Sequence, residues 1–411
     1  MAESKDFIDV SQLIANSSVE ELNRLADEYF SQVQDWNFHL AKPLGAIDEA
    51  PQLLTNFAIL LQGLSLCRGM TVLEFGAGTC WASRFLSQLG CQVIAMDVSA
   101  TALRMGQELY ERHPPFGTTP QPLFNLFDGR RMELADESVD RILGIHALHH
   151  VANCNEVLSE FARVLKNDGI AGFAEPGPEH SRSPQSQEEM RTFGVIENDI
   201  DTKQIWSDAA GCGFTEMKIA IFNIPPFLVS QSRFDSFQMG EEPVVNDFMS
   251  HTREFLRNQR TFFLYKGKQL SRDSRYFGDL SATIQIEETT IQAIEGKEIR
   301  LHAEVENNSS LIWLPRGSGV GAVHLGCHVL DSNGKVLHHS YHWEPLSPGD
   351  GVPVLPRQRV KLTVTLPPLP LGSYTLEFDM VSYDVAWFAQ NGSRTIRVPL
   401  EVLPEPTTRE H

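Results

Sequence analysis

The chain has 411 residues, of which 42% are hydrophobic and 21% charged, which describes a folded protein of two domains rather than a disordered one. Its formal net charge of −19 argues against broad contact with nucleic-acid phosphate or an anionic membrane, and leaves neutral or cationic substrates open. Six scattered cysteines without a C-x-x-C pair, a start (MAESKDFIDV) without a secretory pattern, and no apolar run near the roughly 20 residues that span a bilayer predict a cytoplasmic protein without an integral membrane segment.

Residues 9–36 carry helix-like apolar spacing through Leu13, Ile14, Leu22, Leu25, Tyr29 and Phe30, and predict a helical cap over 1–45. From about residue 70, strands and helices alternate. "TVLEF" (71–75) reads as a buried strand, 80–89 as a helix ending at Gly90, "QVIAMDV" (92–98) as a second strand and 99–111 as a helix. "PLFNLFD" (122–128) and "VDRILGIHAL" (139–148) read as further strands, and a helix near 154–166 precedes the strand "GIAGFAEP" (169–176). A helix over 202–210 then leads to "EMKIAIF" (216–222) and "RTFFLYKG" (260–267), with 225–259 an insertion containing a helix over 243–258. This order predicts an α/β fold over 46–268, a doubly wound seven-stranded sheet with helices on both faces. After a linker (269–279), short alternating strands such as "EIRLHAEVEN", "AVHLGCHVLD" and "SYTLEFDMV" predict an all-β, immunoglobulin-like sandwich over 280–404, followed by a tail (405–411). Asn333-Gly334 marks a two-residue hairpin in that domain, which would set His328 and His339 opposite each other.

The stretch "VLEFGAGTCWASRF" (72–85) places a glycine loop between strand and helix. A dinucleotide fingerprint needs a third small residue where Trp81 stands, because helix and strand pack closely there. The pattern acid-x-Gly-x-Gly-x-small does fit, from Glu74 through Gly76 and Gly78 to Cys80. Asp97 closes the next strand 21 residues after Gly76, where a carboxylate can accept both hydroxyls of a ribose.

Over roughly 45–268 the chain resembles the class I S-adenosylmethionine-dependent methyltransferases, with a Rossmann-like fold. The resemblance implies that Glu74, Gly76, Ala77 and Gly78 surround the methionine part of S-adenosyl-L-methionine, and that Asp97, with Val98 beside it, holds the ribose. It implies that Asp128 meets the adenine amino group next to Gly129, and that His146 lines the cofactor pocket. "ADESVDRILGIHALHHV" (135–151) and "EFARVLKNDGIAGFAEPGP" (160–178) look like the family's fourth- and fifth-strand segments. The family usually has glycine at the place of Cys80.

Methyl transfer from a sulfonium is an in-line displacement governed by positioning, and a hydroxyl acceptor also benefits from a base near neutral pKa. His150, His149 and Glu175 are the candidates at the strand ends where ligands of such folds bind. No grouping there has convincing metal-ligand spacing, so no metal is expected. The cap and the 225–259 insertion would form a lid over the acceptor, with Trp36, Phe38, Lys42 and Phe227 as lining candidates.

In the second domain "PLPLGSYTLEFDMVSYDVAWF" resembles β-sandwich modules attached to bacterial enzymes and transporters of surface polysaccharides. That resemblance implies a saccharide or glycoconjugate acceptor and O-methylation. Tyr374, Phe378, Tyr383, Trp387 and Phe388 lie near its turns, either stacking on sugar rings or filling the core. Two alternatives stay open. One is a methyltransferase of a small secondary metabolite, with the sandwich serving to form a homodimer; the other is a catalytically inactive glycan-binding protein.

Overall fold

The computed structural model describes residues 7–117, 119–268, 272–346 and 351–405. The chain divides near residue 270 into two compact units. The expected linker and tail fall partly outside the described residues.

The first unit opens with helices α1 (Val10–Asn16), α2 (Val19–Ser31), α3 (Asn37–Leu40) and α4 (Ala50–Gly63). The single periodic run over 9–36 is therefore broken. Ser18 breaks it by capping α2, its hydroxyl accepting from the Glu21 N–H, while Glu20 and Glu21 sit favourably in the first turn. The apolar faces of α1 and α2 bury Val10 and Leu22 against Met190 and Ile196.

The order then follows the alternating pattern: β1 (Thr71–Phe75), α5 (Trp81–Gln88), β2 (Gln92–Asp97), α6 (Ala100–Arg112), β3 (Leu123–Leu126), β4 (Val139–Ile145), α7 (Cys154–Val164), β5 (Leu165–Pro176), α8 (Pro184–Phe193), α9 (Thr202–Gly211), β6 (Phe214–Ile219), α10 (Gln231–Gln238), α11 (Glu242–Asn258) and β7 (Gln259–Lys266). The seven strands form one sheet in the order β3-β2-β1-β4-β5-β7-β6. β1 pairs in parallel with β2 on one side and β4 on the other, so Leu73 faces both Ile94 and Ile142. The strand order reverses at β1 and β4, which leaves a crevice outside their carboxyl ends. β7 runs antiparallel between β5 and β6. Phe75, Phe161, Phe173 and Phe262 stack through the core, and α4 lies so close to the sheet that the Phe263 ring occupies the space a Cβ on Gly63 would need.

The second unit has strands β8 (Ala282–Ile286), β9 (Ile291–Ile294), β10 (Ile299–Asn307), β11 (Val323–Leu330), β12 (Val336–Pro345), β13 (Arg359–Leu366), β14 (Gly372–Ser382), β15 (Ala386–Trp387) and β16 (Ile396–Leu403). They form a three-stranded sheet, β13-β10-β8, and a larger one, β12-β11-β14-β16-β9, with β15 on β14. Inward residues of both sheets share one core around Trp313, Phe378 and Phe388. Alternation is strict on β10, where every second residue is buried. The β11–β12 loop closes when the Asp331 N–H donates to the Lys335 carbonyl, around Asn333-Gly334. A bulge at Ser340 shifts the register, yet the His328 and His339 rings still meet, 4.4 Å apart. His328 Nδ1 accepts from the Ser340 N–H, which satisfies it within the sheet.

Candidate active site

Gly76 and Gly78 turn the chain out of β1 with φ of +64° and +51°, a region that favours glycine. Gly76 also passes so close to Ala147 that a Cβ there would lie 2.4 Å from the alanine methyl. Cys80 follows at φ +59°, which explains the glycine usual at this place in the resembling family. Its side chain is wholly buried beside Ala77, Ala95, Leu103 and Tyr110, and fits because Gly106 on α6 leaves room for the sulfur. Trp81 starts α5 and packs edge-on to Phe57 at 5.4 Å.

Glu74 does not reach the cavity. Its carboxylate lies under the loop and accepts from the N–H and hydroxyl of Ser83, tying β1 to the first turn of α5. Burial outweighs those bonds and pushes its pKa up to about 8. Asp97 has two duties. One oxygen accepts from the Gly78 N–H at 2.7 Å and closes the loop; the other accepts from Ser99 N–H at 2.8 Å. Each oxygen keeps a further lone pair, and burial raises the carboxyl above its usual range.

Above these strand ends lies a cavity of about 340 Å³, within the usual size of ligand pockets. Its walls include Gly76, Ala77, Gly78, Trp81, Asp97, Val98, Gly129, His146 and His150, with Asn23, Tyr29, His39 and Lys42 from the cap. Open space around the Cβ position of Gly78 and the remaining acceptor capacity of Asp97 suit a nucleoside-bearing ligand. Asp128 stays outside the cavity walls. Its carboxylate turns back onto its own loop, accepting from Arg130 and Arg131 N–H, and its carbonyl accepts from the Asn23 amide, so Phe127 and Gly129 line the cavity in its place.

The histidine side is built differently from the expectation. Glu175, fully buried, accepts from the N–H of Ala147 and Leu148 with one oxygen and from His149 Nδ1 at 2.7 Å with the other. Burial raises the Glu175 pKa and drives the His149 imidazole well below its usual range. Neither residue lines the cavity, so both position the turn after β4. His150 does line it, its Nδ1 meeting the Ile196 carbonyl and lying 3.6 Å from Glu197 Oε1.

Glu197 is the residue that sequence reasoning missed. It is buried in the cavity wall, and accepts from His180 Nε2 at 2.7 Å. Burial alone would raise its pKa, but the bond from His180 outweighs it and, with the neighbouring His150, holds it at about 2. Glu189 lies beside it and is raised by burial and by that charge. The ligand atoms of His149, His150 and Glu197 lie within 4.8 Å of one another. No spacing rule could have found this group, because the segment after α8 returns to the histidines only in three dimensions. The 225–259 insertion contributes nothing to the walls among the described residues. Phe227 packs with Phe248 and His251 instead, and Trp36 and Phe38 also stay outside.

Residues 73–173 match the family described as "Methyltransferase domain". The chain is 28% identical over 117 residues to the methyltransferase GfsG of Streptomyces halstedii, covering 28% of this chain and 41% of that protein. It is 29% identical over 116 residues to a demethylmenaquinone methyltransferase of Tropheryma whipplei, covering 28% and 46%. The chain thus spans less than half the length of these curated relatives. A solved structure of geranyl diphosphate C-methyltransferase from Streptomyces coelicolor covers 59% of this chain and 96% of its own at 12% identity, with a TM-score of 0.43. The [4+2]-cyclase SpnF covers 61% and 97% at 14% identity, with a TM-score of 0.41. On the family match, residues 73–173 belong to a methyltransferase domain, and S-adenosylmethionine is the cofactor of that domain.

Proposed function

We propose that this protein is a methyltransferase that O-methylates a saccharide or glycoconjugate hydroxyl. The observation that carries the transfer reading is the glycine loop held shut by Asp97 at one wall of a cavity whose other wall presents His150. Gly76, Ala77, Gly78, Asp97, Val98 and Gly129 are the residues that would hold S-adenosylmethionine. When bound, it supplies an electrophilic methyl group on a sulfonium. The chain's own share is to orient an acceptor oxygen and take its proton. His150 would be that group, a reading supported by its being the one of the three expected candidates that lines the cavity. Glu175 and His149 act through the backbone of the β4 turn and not on substrate.

The saccharide reading draws on the second unit, which we read as an immunoglobulin-like sandwich. Trp343, Trp387 and Tyr383 gather on its larger sheet with ring centroids about 6 Å apart, and Gly326 makes room for Trp387. Half-buried aromatic faces of this kind suit sugar rings. The test is mass spectrometry of products after incubation with labelled cofactor and either lipopolysaccharide fractions or a panel of small metabolites. Label in the saccharide fraction alone is the expected outcome; label only in a small metabolite would transfer the activity to that class.

A further inference from the structure

We propose that His149, His150 and Glu197 form a binding site for one divalent ion of the zinc class, open toward the acceptor cavity. The methyltransferase reading bears only on what the ion would do there, not on whether it binds.

Glu197 is the centre of the argument. Its side chain is only 4% exposed. One oxygen accepts from His180, while Oε1 is buried without a hydrogen-bond donor. The nearest other imidazole nitrogens stand off: His149 Nε2 is 3.8 Å from Oε2, and His150 Nδ1 is 3.6 Å from Oε1. Those separations are too long for hydrogen bonds. They are close to the ~3.4 Å that separates two ligands each bound at about 2.1 Å to one tetrahedral ion.

His149 sharpens the case. A carboxylate can only accept, so His149 Nδ1 must donate to Glu175 at 2.7 Å. Its Nε2 then presents a lone pair toward the Glu197 carboxylate. Two acceptors facing each other across 3.8 Å in a buried site leave a place for positive charge between them. A carboxylate behind an imidazole whose far nitrogen is free is also the usual support for a metal-bound histidine. The Asn198 N–H donates to the His149 carbonyl at 3.1 Å and fixes the two segments together. His150 has 44% of its side chain exposed, so its ring is free to give up the Ile196 carbonyl for an ion.

Two imidazoles and one carboxylate select Zn²⁺, Co²⁺ or Mn²⁺ over Mg²⁺ and Ca²⁺, which prefer all-oxygen sites. Three protein ligands leave a fourth position free for a water or an acceptor oxygen. That position opens on the cavity, because both Glu197 and His150 line it.

The test is titration of metal-stripped full-length protein with Co²⁺, followed by visible ligand-field absorption, with S-adenosylhomocysteine binding measured on the same samples. One saturable equivalent per chain is expected. Glu197→Gln should weaken it at least 100-fold and His150→Ala at least tenfold. Glu175→Gln should cost about 10- to 100-fold, the range seen when such a supporting carboxylate is lost. His339→Ala, in the second unit, should change nothing. Retained S-adenosylhomocysteine binding shows that a variant is folded, and if Glu197→Gln loses it, His150→Ala decides. No saturable equivalent, or a Glu197→Gln or His150→Ala variant that titrates like wild type, overturns the proposal. Cobalt binding without S-adenosylhomocysteine binding in the wild type would sink the methyltransferase reading and spare the ion site.

Discussion

Cys80 shows what one residue can and cannot disclose in a sequence. Its small size beside two glycines is visible in "GAGTCW", but its left-handed backbone and its dependence on Gly106 are not, because the two meet only when α6 folds over the loop. A non-glycine residue in this conformation costs about 1 kcal/mol. Gly106→Ala would drive a methyl into the sulfur and should destabilise the first unit by about 1–3 kcal/mol. Cys80→Gly removes both the strain and the clash, so adding it to Gly106→Ala should restore most of the loss. Chemical denaturation of the two single variants and the double variant measures the coupling; simple additivity would refute the contact. Glu74 offers a second check. With a pKa near 8 it is largely protonated at neutral pH, and Glu74→Gln, its neutral isostere, should change S-adenosylhomocysteine affinity less than threefold at pH 7. Glu74→Ala, which leaves the Ser83 N–H buried without its acceptor, should weaken it about tenfold or more.

At the scale of elements, the alternation of strands and helices was readable because buried parallel strands are continuous apolar runs. Which elements wall the cavity was not readable, since that depends on where a segment returns in space. The sequence points to the 225–259 insertion, whose aromatic residues satisfy each other; α8 and the segment after it take that place. The cap was partly legible, but its attachment was hidden. Asp27 on α2 accepts from the Ser99 hydroxyl at 2.7 Å and from the Thr101 N–H at 2.8 Å, so a cap residue satisfies the free N-terminus of α6. Those bonds hold the carboxyl below its usual range despite burial. Asp27→Ala should therefore loosen α2, which brings Asn23 and Tyr29 to the cavity. Amide exchange in α2 should speed up and S-adenosylhomocysteine affinity should fall about tenfold, the equivalent of one charged hydrogen bond. Unchanged exchange would show that apolar packing alone seats the cap.

At the scale of the molecule, each unit has a core of its own, and the second carries a buried acid that sets its response to pH. Asp379 on β14 is 2% exposed. One oxygen accepts from the Ala389 N–H at 3.1 Å and the other is buried without a partner. Burial pushes its pKa up to about 6, against 3.8 for the free side chain. The folded second unit thus favours the neutral acid more than the unfolded chain does. Its advantage is complete below pH ~4 and is lost as the pH rises through 6, amounting to about 3 kcal/mol. Wild-type β14 should exchange its amides more slowly at pH 5 than at pH 7.5, after correction for the intrinsic rate. Asp379→Asn keeps an acceptor for Ala389 but cannot ionise, so its stability should be flat over this window and exceed wild type at pH 7.5. The exchange of β1 and β4, in the first unit, should not respond to this substitution. Equal pH dependence in the two proteins would place the charge burden elsewhere, among the acids that give the chain its net charge of −19.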